Sequence, residues 1–513
     1  MPFPFTPRKS GGLPPRSMLL LLPLLLLASG CATQTYRKGM DKIHPAYAMG
    51  DFDAALAVTG KQIAGKPDDA TKNNMLVWRL NHAALLAASG RHQMAEDQWD
   101  ILQPVFEHAW QNDRVHIIGD SVGLLVPGVK DTYYAKPHEG IMVYTCRMVN
   151  ALLLGDLDEA ARHLAAARDF RAEVLQEMEK RVEKRREKGI TDDADFTRAA
   201  VSDGLAEKNN ANANTTKDES LGVSNALLAK VNETRLAEVR ADLAGYDHYA
   251  NPLTALLTHI LLRTHGTGLA QTDQADAEKE LEDLQVFAPN NSAVRSLSMA
   301  EPLANTVFVF FETGLAPRQE EMKITVPLPP VTKWFPSAWG VAYPRLVANP
   351  DYVPHLFVTT SGQSRAPTEP LVNFDAIVQQ SFDDAWPGVI ARQITQSIVT
   401  TVINAALNYA GNKAAEKINN GWIRIIVQIF TWGGTAALSY AMTEADTRSW
   451  ELLPKQVQVA RFDIPADREL TLSLPNSAWR ETLTLGDGDV LGVWVKSTSP
   501  RQPAPLATPF RFK

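Results

Sequence analysis

From residue 40 to about 290 the apolar positions recur at three- and four-residue intervals, the period of helices buried along one side. Met75 to Ser89 carries Leu76, Leu80, Ala83 and Ala87 at that spacing. A further helix runs from Asp156 to Lys188, and its tail from Glu177 onward is almost wholly charged. There Glu177 can pair with Lys180 and Arg181 while Glu179 and Glu183 repel, so the pattern predicts a solvated, protruding end. The Asn-rich stretch 203–219 predicts a mobile loop. Helix returns over Asn225 to Leu243 and again to Leu262 from Asn251 and Pro252, residue types suited to the N-cap and the first turn. A last helix is predicted over Ala275 to Phe287.

After residue 300 the pattern changes. Thr306 to Phe311 is apolar at every second and every intervening position, the mark of a strand covered on both faces. Lys323 to Leu328 alternates, and its Pro327 places it at a sheet edge. Residues 329 to 370 are rich in Pro, Trp and Tyr and predict long ordered loops between short strands. Asp375 to Trp386 reads as one helix, and Pro387 as the opening of another with Ile390, Ile394, Ile398, Val402 and Ala406 on one stripe. Strands are predicted at Val457 to Ile464, Glu469 to Leu474, Glu481 to Leu485 and Val490 to Lys496, with Gly486-Asp487-Gly488-Asp489 as a hairpin turn between the last two. The segment Trp422 to Met442 is long and apolar enough to raise the question of a membrane span. Arg424 and Gln428 within it favour a packed core helix instead.

Three short stretches share one grammar. Gly50-Asp51-Phe52 leads to Ala55, Gly90-Arg91-His92 to Ala95, and Gly155-Asp156-Leu157 to Ala160. Glycine can end one helix, the bulky residue can pack down, and the small alanine allows close approach of the next helix. This pattern resembles the inter-helix turn of tetratricopeptide repeats. The intervals between the turns are unequal rather than a steady ~34 residues, so irregular helical hairpins are expected, with ordinary αα-hairpins of no repeat ancestry as the alternative.

The N-terminus supplies an address. Arg8, Lys9 and Arg16 precede an apolar run from Met18 to Leu27 that is interrupted only by Pro23. That run is about half the ~20 residues of a spanning helix, so residues 1–30 read as a signal peptide. Leu27-Ala28-Ser29-Gly30-Cys31 resembles a bacterial lipoprotein processing box, with its leucine one position further upstream than usual. The resemblance implies cleavage before Cys31 and acylation of that residue. Stable anchoring takes about two lipid chains, which such processing supplies. Ala32 follows where an aspartate would favour the inner membrane, so the periplasmic face of the outer membrane is expected, with 31–42 as a short tether.

Composition narrows the rest. The chain has 513 residues, 45% apolar and 21% charged, with a net charge of -7. Disorder cannot be its overall state, and the charge balance argues against a broad basic face for nucleic acid. Two cysteines exclude a disulfide scaffold. With Cys31 acylated, Cys146 is left as a free thiol in an apolar helical run, where core packing is the expectation and Arg147 alone is thin support for a reactive site. No His-Glu-x-x-His, Gly-x-Ser-x-Gly or phosphate-binding glycine loop occurs. The eleven histidines are nowhere three to five residues apart. Asp383-Asp384 would point about 100° apart on a helix and reads as a solvated face. No cofactor, metal or enzymatic activity is expected.

Lipobox, glycine-turn hairpins, Tyr249-x-Asn251-Pro252, Phe311-Glu312-x-Gly314-Leu315-Ala316-Pro317 and Ala445-Asp446-Thr447-Arg448-Ser449-Trp450-x-x-Leu453-Pro454 occur in that order. Together they resemble an uncharacterised bacterial lipoprotein family with tetratricopeptide-like helices and a C-terminal mixed domain. Members of that family often neighbour small lipoproteins that are similar to activators of penicillin-binding proteins, which implies cell-wall work. Physically, Gly314 and Pro317 read as a turn leaving the buried strand. Asp446 and Arg448 read as an ion pair or cap network with Trp450 packed alongside. The expected fold is thus α+β, with irregular helical hairpins over 43–300 and a mixed domain over 301–513. The expected function is an outer-membrane lipoprotein that scaffolds or regulates an envelope protein partner. The alternative is an envelope enzyme, or a peptidoglycan or peptide binder, built around Trp334, Trp339, Trp386 and Trp450.

Overall fold

The computed structural model describes residues 31–65, 74–111, 133, 135–187, 197, 199, 225–234, 250–266, 270–327, 338–361, 363–410 and 445–513. The signal segment, the 203–219 stretch, Trp334 and Trp422 to Met442 lie outside the described residues. The architecture is α+β, with helices in the first half and mixed sheets in the second. Among the described residues no helix is long and apolar enough to cross a membrane.

The helices are α1 (Cys31–Ala48), α2 (Phe52–Ile63), α3 (Met75–Ala88), α4 (His92–Gln111), α5 (Pro137–Leu154), α6 (Leu157–Glu187), α7 (Pro252–Thr264), α8 (Ala270–Phe287) and the short α9 (Ser292–Arg295), with a further helix over 225–234. The three glycine turns are built alike. Gly50, Gly90 and Gly155 have φ of 74°, 75° and 80°, in the left-handed region. At each, the glycine N–H and the next residue's N–H turn back onto the preceding helix: Asp51 to Ala46 at 2.8 Å, Arg91 to Leu86 and Asp156 to Ala151 at 2.9 Å. These bonds satisfy carbonyls that a helix end otherwise leaves bare. Asp51 and Asp156 then cap the next helix by accepting from Ala54 and Glu159. Ala55, Ala95 and Ala160 are fully buried at the predicted crossing points.

Strands β1 (Thr306–Thr313), β6 (Glu369–Asn373), β7 (Gln456–Asp463), β10 (Val490–Ser497) and β11 (Leu506–Arg511) form a five-stranded sheet in the order β11-β10-β1-β7-β6. In it β1 runs parallel to β10 and antiparallel to β7. A four-stranded antiparallel sheet has the order β5-β4-β8-β9, from β4 (Phe357–Thr360), β5 (Gln363–Pro367), β8 (Glu469–Ser473) and β9 (Arg480–Thr484). β2 (Arg318–Pro327) and β3 (Ala338–Val347) make a separate ribbon. Helix α10 (Phe374–Ala410) follows β6.

The five-stranded sheet is the middle layer. From β1, Val307, Val309 and Phe311 enter a core shared with the four-stranded sheet, while Phe308 and Phe310 enter the core shared with the helices. The strand is buried at every position, which is why it carries no polar alternation. The helix-side core runs from Tyr36 in α1 to Phe512 at the C-terminus. The change at residues 300/301 is therefore one of secondary structure, not of core.

Four sequence expectations need correction. The tether over 31–42 is helical: α1 starts at Cys31, and Tyr36, Met40, Ile43 and Tyr47 recur on its buried side. Pro387 lies inside α10 instead of opening a new helix. A mid-helix proline forfeits one backbone bond, and the apolar stripe with Ile390 and Ile394 buried carries the helix through. Gly486 to Asp489 is not a hairpin turn, because β9 and β10 belong to different sheets. The 329–370 region holds β3, a ten-residue strand, besides short ones.

Candidate functional site

The residues singled out near the C-terminus lie on a stretch without regular structure. Ala445 to Pro454 passes from the β2 ribbon along the inner side of the helices to β7. A main chain that crosses a core without a neighbouring strand has no ladder for its N–H and C=O groups. Here side chains take that role. Tyr36 of α1 donates to Ser449 O at 2.5 Å, and Lys136 donates to Arg448 O at 3.2 Å. Trp450 N donates to Glu139 of α5 at 3.3 Å, and Leu452 N to Asn81 of α3 at 3.2 Å. Arg37 holds both the hydroxyl and the carbonyl of Thr447. Tyr36, Asn81 and Glu139 are all fully buried. The helical layer thus holds an irregular stretch of its own chain by the main chain.

Arg448 and Asp446 form the expected ion pair. Arg448 Nε and Nη2 reach the two Asp446 oxygens at 2.8 and 2.6 Å, and Nη1 reaches Asn74 at 2.5 Å. Burial raises the Asp446 carboxyl, but the charge and hydrogen bonds of Arg448 outweigh it and bring it down to about 2. Asp446 keeps 45% of its side-chain surface in water, so the pair is partly screened. Glu139, which also accepts from Tyr133, is pushed up by burial.

Gly314 and Pro317 meet this segment from the other side. Gly314 has φ 67°, and a Cβ there would lie 2.5 Å from the Tyr352 Cβ, so both backbone and space demand glycine. The turn it makes sends Ala316 N to Leu453 O at 2.9 Å. Pro317 is buried behind it. Asn251 caps α7 through Leu253 N, and its amide reaches Thr145 of α5 at 3.3 Å. The motifs that stand apart in sequence therefore converge on one stretch of core. Cys31, the expected lipidation residue, is the first residue of α1.

Between α4, α5 and the five-stranded sheet lies a cavity of about 70 Å³. Its lining is mainly apolar and includes Trp99, Trp450 and Trp494 together with Cys146, Glu312 and Lys496. Lys496 pairs with Glu312, which also accepts from Trp494 Nε1 at 3.1 Å. Cys146 packs half-buried against the helix-side core, and burial pushes its thiol up to about 12. Arg147 does not activate it; its guanidinium is held by Glu96 and Asp100. A thiol in that setting is a packing group and not a nucleophile.

Of the four tryptophans of the alternative reading, Trp386 and Trp450 have described side chains, and these have different ring neighbours. Trp386 packs on Phe382 and Tyr343, whereas Trp450 packs on Trp99 at 5.7 Å between ring centroids. The side chain of Trp339 is outside the described residues. The group that does share a wall includes Trp99 and Trp494, which sequence reasoning missed. Trp99 sits on a helix far upstream, and Trp494 is one more large apolar residue in a strand, so neither carries a linear signal. No protein-family model, curated protein or solved structure matches this chain.

Proposed function

We propose that this protein is an outer-membrane lipoprotein, anchored through Cys31 and facing the periplasm. It belongs by its motifs to the lipoprotein family described above, and it scaffolds or regulates an envelope protein partner in cell-wall synthesis. The inner side of the helical hairpins is filled by the chain's own sheet and by Ala445 to Pro454, so the partner docks elsewhere. The observation that carries the reading is that three exposed apolar side chains lie at the three glycine turns. Met49, Met94 and Leu154 are 51%, 53% and 44% exposed. Met49 precedes Gly50, Leu154 precedes Gly155, and Met94 lies one turn after Gly90. Alternate connections of an antiparallel helical array fall at one end, and Gly50 and Gly90 both lie beside the 502–506 stretch. Methionine adapts its shape to a partner more readily than branched residues do.

Helix α1 beginning at Cys31 fits the anchor, because it holds the folded body close to an acylated residue without a flexible spacer. Two experiments test the reading. Cys31→Ser should leave the outer-membrane fraction, and its normal retention there would remove the anchor from the account. A Met49→Asp/Met94→Asp/Leu154→Asp variant should keep its melting temperature and lose the envelope protein recovered with the parent. Unchanged recovery would remove the docking edge.

A further inference from the structure

The three glycine turns are tied to one another by side chains. Arg91 of the second turn pairs with Asp53 of the first. His92 Nδ1 meets the Asn150 amide oxygen at 2.8 Å, and Asn150 donates back to His92 O at 2.7 Å. Asn150 lies one helical turn before Leu154, at the end of α5 that leads into the third glycine turn. Asp158, just past that turn, meets His265 Nε2 at 2.8 Å. His265 precedes Gly266, which has φ 71° and sends its N–H back to Leu261 O at 2.9 Å, as the other three turns do. The four turns therefore follow one another along one edge of the helical layer, and Met49, Met94 and Leu154 stand exposed on the first three.

The charges beside those apolar residues are mostly of one sign. Asp51, Asp53, Asp97, Asp156 and Asp158 are all exposed, and Met94 and Asp97 share a side of α4 at i,i+3. Set against them is Arg91, while Arg162 is held by Glu159. Arg501, next to the Gln502 that flanks Gly50, is held by Asp351. Asp53 and Asp158 keep 79% and 86% of their side-chain surface in water, so their pairs contribute little and leave their charge open to an approaching cation. An anionic lipid surface or a nucleic acid is repelled by such an edge, and basic side chains are drawn to it. The main chain offers nothing further. The turn N–H groups return to the preceding helices, and Asp51 and Asp156 cap the following ones, so no open ladder awaits an extended strand. A helix arrives with its own main-chain bonds already made.

We infer that the edge of glycine turns receives a cationic amphipathic helix of the partner. Its apolar stripe lies on Met49, Met94 and Leu154, and its lysine or arginine side chains face the aspartates. The inference rests on the docking edge proposed above and adds the chemistry of what docks there.

The test titrates the full mature chain into a fluorescently labelled leucine–lysine amphipathic helix of ~18 residues, read by anisotropy. The same peptide with glutamate in place of lysine is the counterpart. The lysine peptide should bind saturably and weaken as salt is raised, and the glutamate peptide should not bind. A variant carrying Asp51→Asn, Asp53→Asn, Asp97→Asn, Asp156→Asn and Asp158→Asn should weaken the lysine peptide roughly tenfold, the joint worth of several exposed ion pairs. Asparagine caps helices as well as aspartate does, so that variant should keep the parent's melting temperature. Should it fail to fold, the two peptides compared on the parent still decide. Glu278→Gln with Glu282→Gln, exposed in the middle of α8, should change nothing. Equal binding of the two peptides, or parent-like binding by the asparagine variant, overturns the inference. Met49→Ser/Met94→Ser/Leu154→Ser separates that result from a failure of the docking edge. If the serine variant loses the lysine peptide while the asparagine variant keeps it, the edge stands and only its charge preference falls. If both bind like the parent, the edge falls too. Co-flotation with phosphatidylglycerol vesicles, or a dimer in sedimentation, that the serine variant abolishes would assign the edge to a lipid surface or a second copy and overturn the inference.

Discussion

The two faces of the five-stranded sheet are built to different rules. The face toward the four-stranded sheet is closed by Val307, Val309, Phe311, Leu470, Leu472, Val493 and similar side chains, with the neutral Gln458 buried beside them and bonded to Thr368 and to Pro354 O. The face toward the helices holds Phe308 and Phe310 but also the Glu312–Lys496 pair, the Cys146 thiol, a cavity and a peptide held by side chains. One strand serves both: β1 gives Phe311 to the first face and Glu312 to the second. The sheet–sheet interface supplies cohesion. The sheet–helix interface combines cohesion with charged groups that each need a partner.

The largest effect is expected where the apolar face is hollowed. Phe311→Ala should cost about 3–5 kcal/mol, lost transfer energy plus an unfilled cavity, read as a fall in the denaturation midpoint. On the other face, Lys496→Met alone should cost about 3–5 kcal/mol because Glu312 is left charged and unpaired. Adding Glu312→Leu should restore most of it, and a double variant no better than the single would show that the pair is not a closed unit. Asn81→Ala strands the Leu452 N–H and should cost about 1–3 kcal/mol, measured by urea unfolding.

The smallest and most discriminating difference is in pH dependence. Burial holds His138 down to about 3 and His82 down to about 4. Both lie in the helical layer. A histidine whose folded value is depressed stabilises the fold fully above its unfolded value near ~6.5, and that contribution is lost as pH falls toward the folded value. Stability should therefore decline from pH ~6.5 toward ~3, and His138→Gln should flatten the decline. An unchanged profile in that variant would place the acid sensitivity elsewhere.

Much of the skeleton was legible because it follows local rules. The glycine turns, the Asn251 cap and the doubly buried β1 each carry their reason in a few adjacent residues. The hairpin misassigned at Gly486 to Asp489 shows where such rules stop. Strand partners are chosen by the long-range order that sets β10 beside β1, which no turn residue encodes. The helix at Cys31 does carry the helical period, Tyr36, Met40, Ile43 and Tyr47 being four, three and four residues apart, but its position directly after the processing box suggested a tether. For the site, Gly314, Pro317, Asp446, Arg448 and Trp450 were singled out as separate motifs, and the fold brings them together. Trp99, Asn81 and Glu139 were not, since their roles depend on a segment more than three hundred residues away.

The most direct measurement is site-specific photocrosslinking in living cells at native expression level. A photoreactive residue at Met94 should give a discrete adduct with one envelope protein, and the same residue at the exposed Glu278 of α8 should give none. Absence of any adduct from Met49, Met94 and Leu154 alike would contradict the account that this protein works by holding a partner along its helical turns.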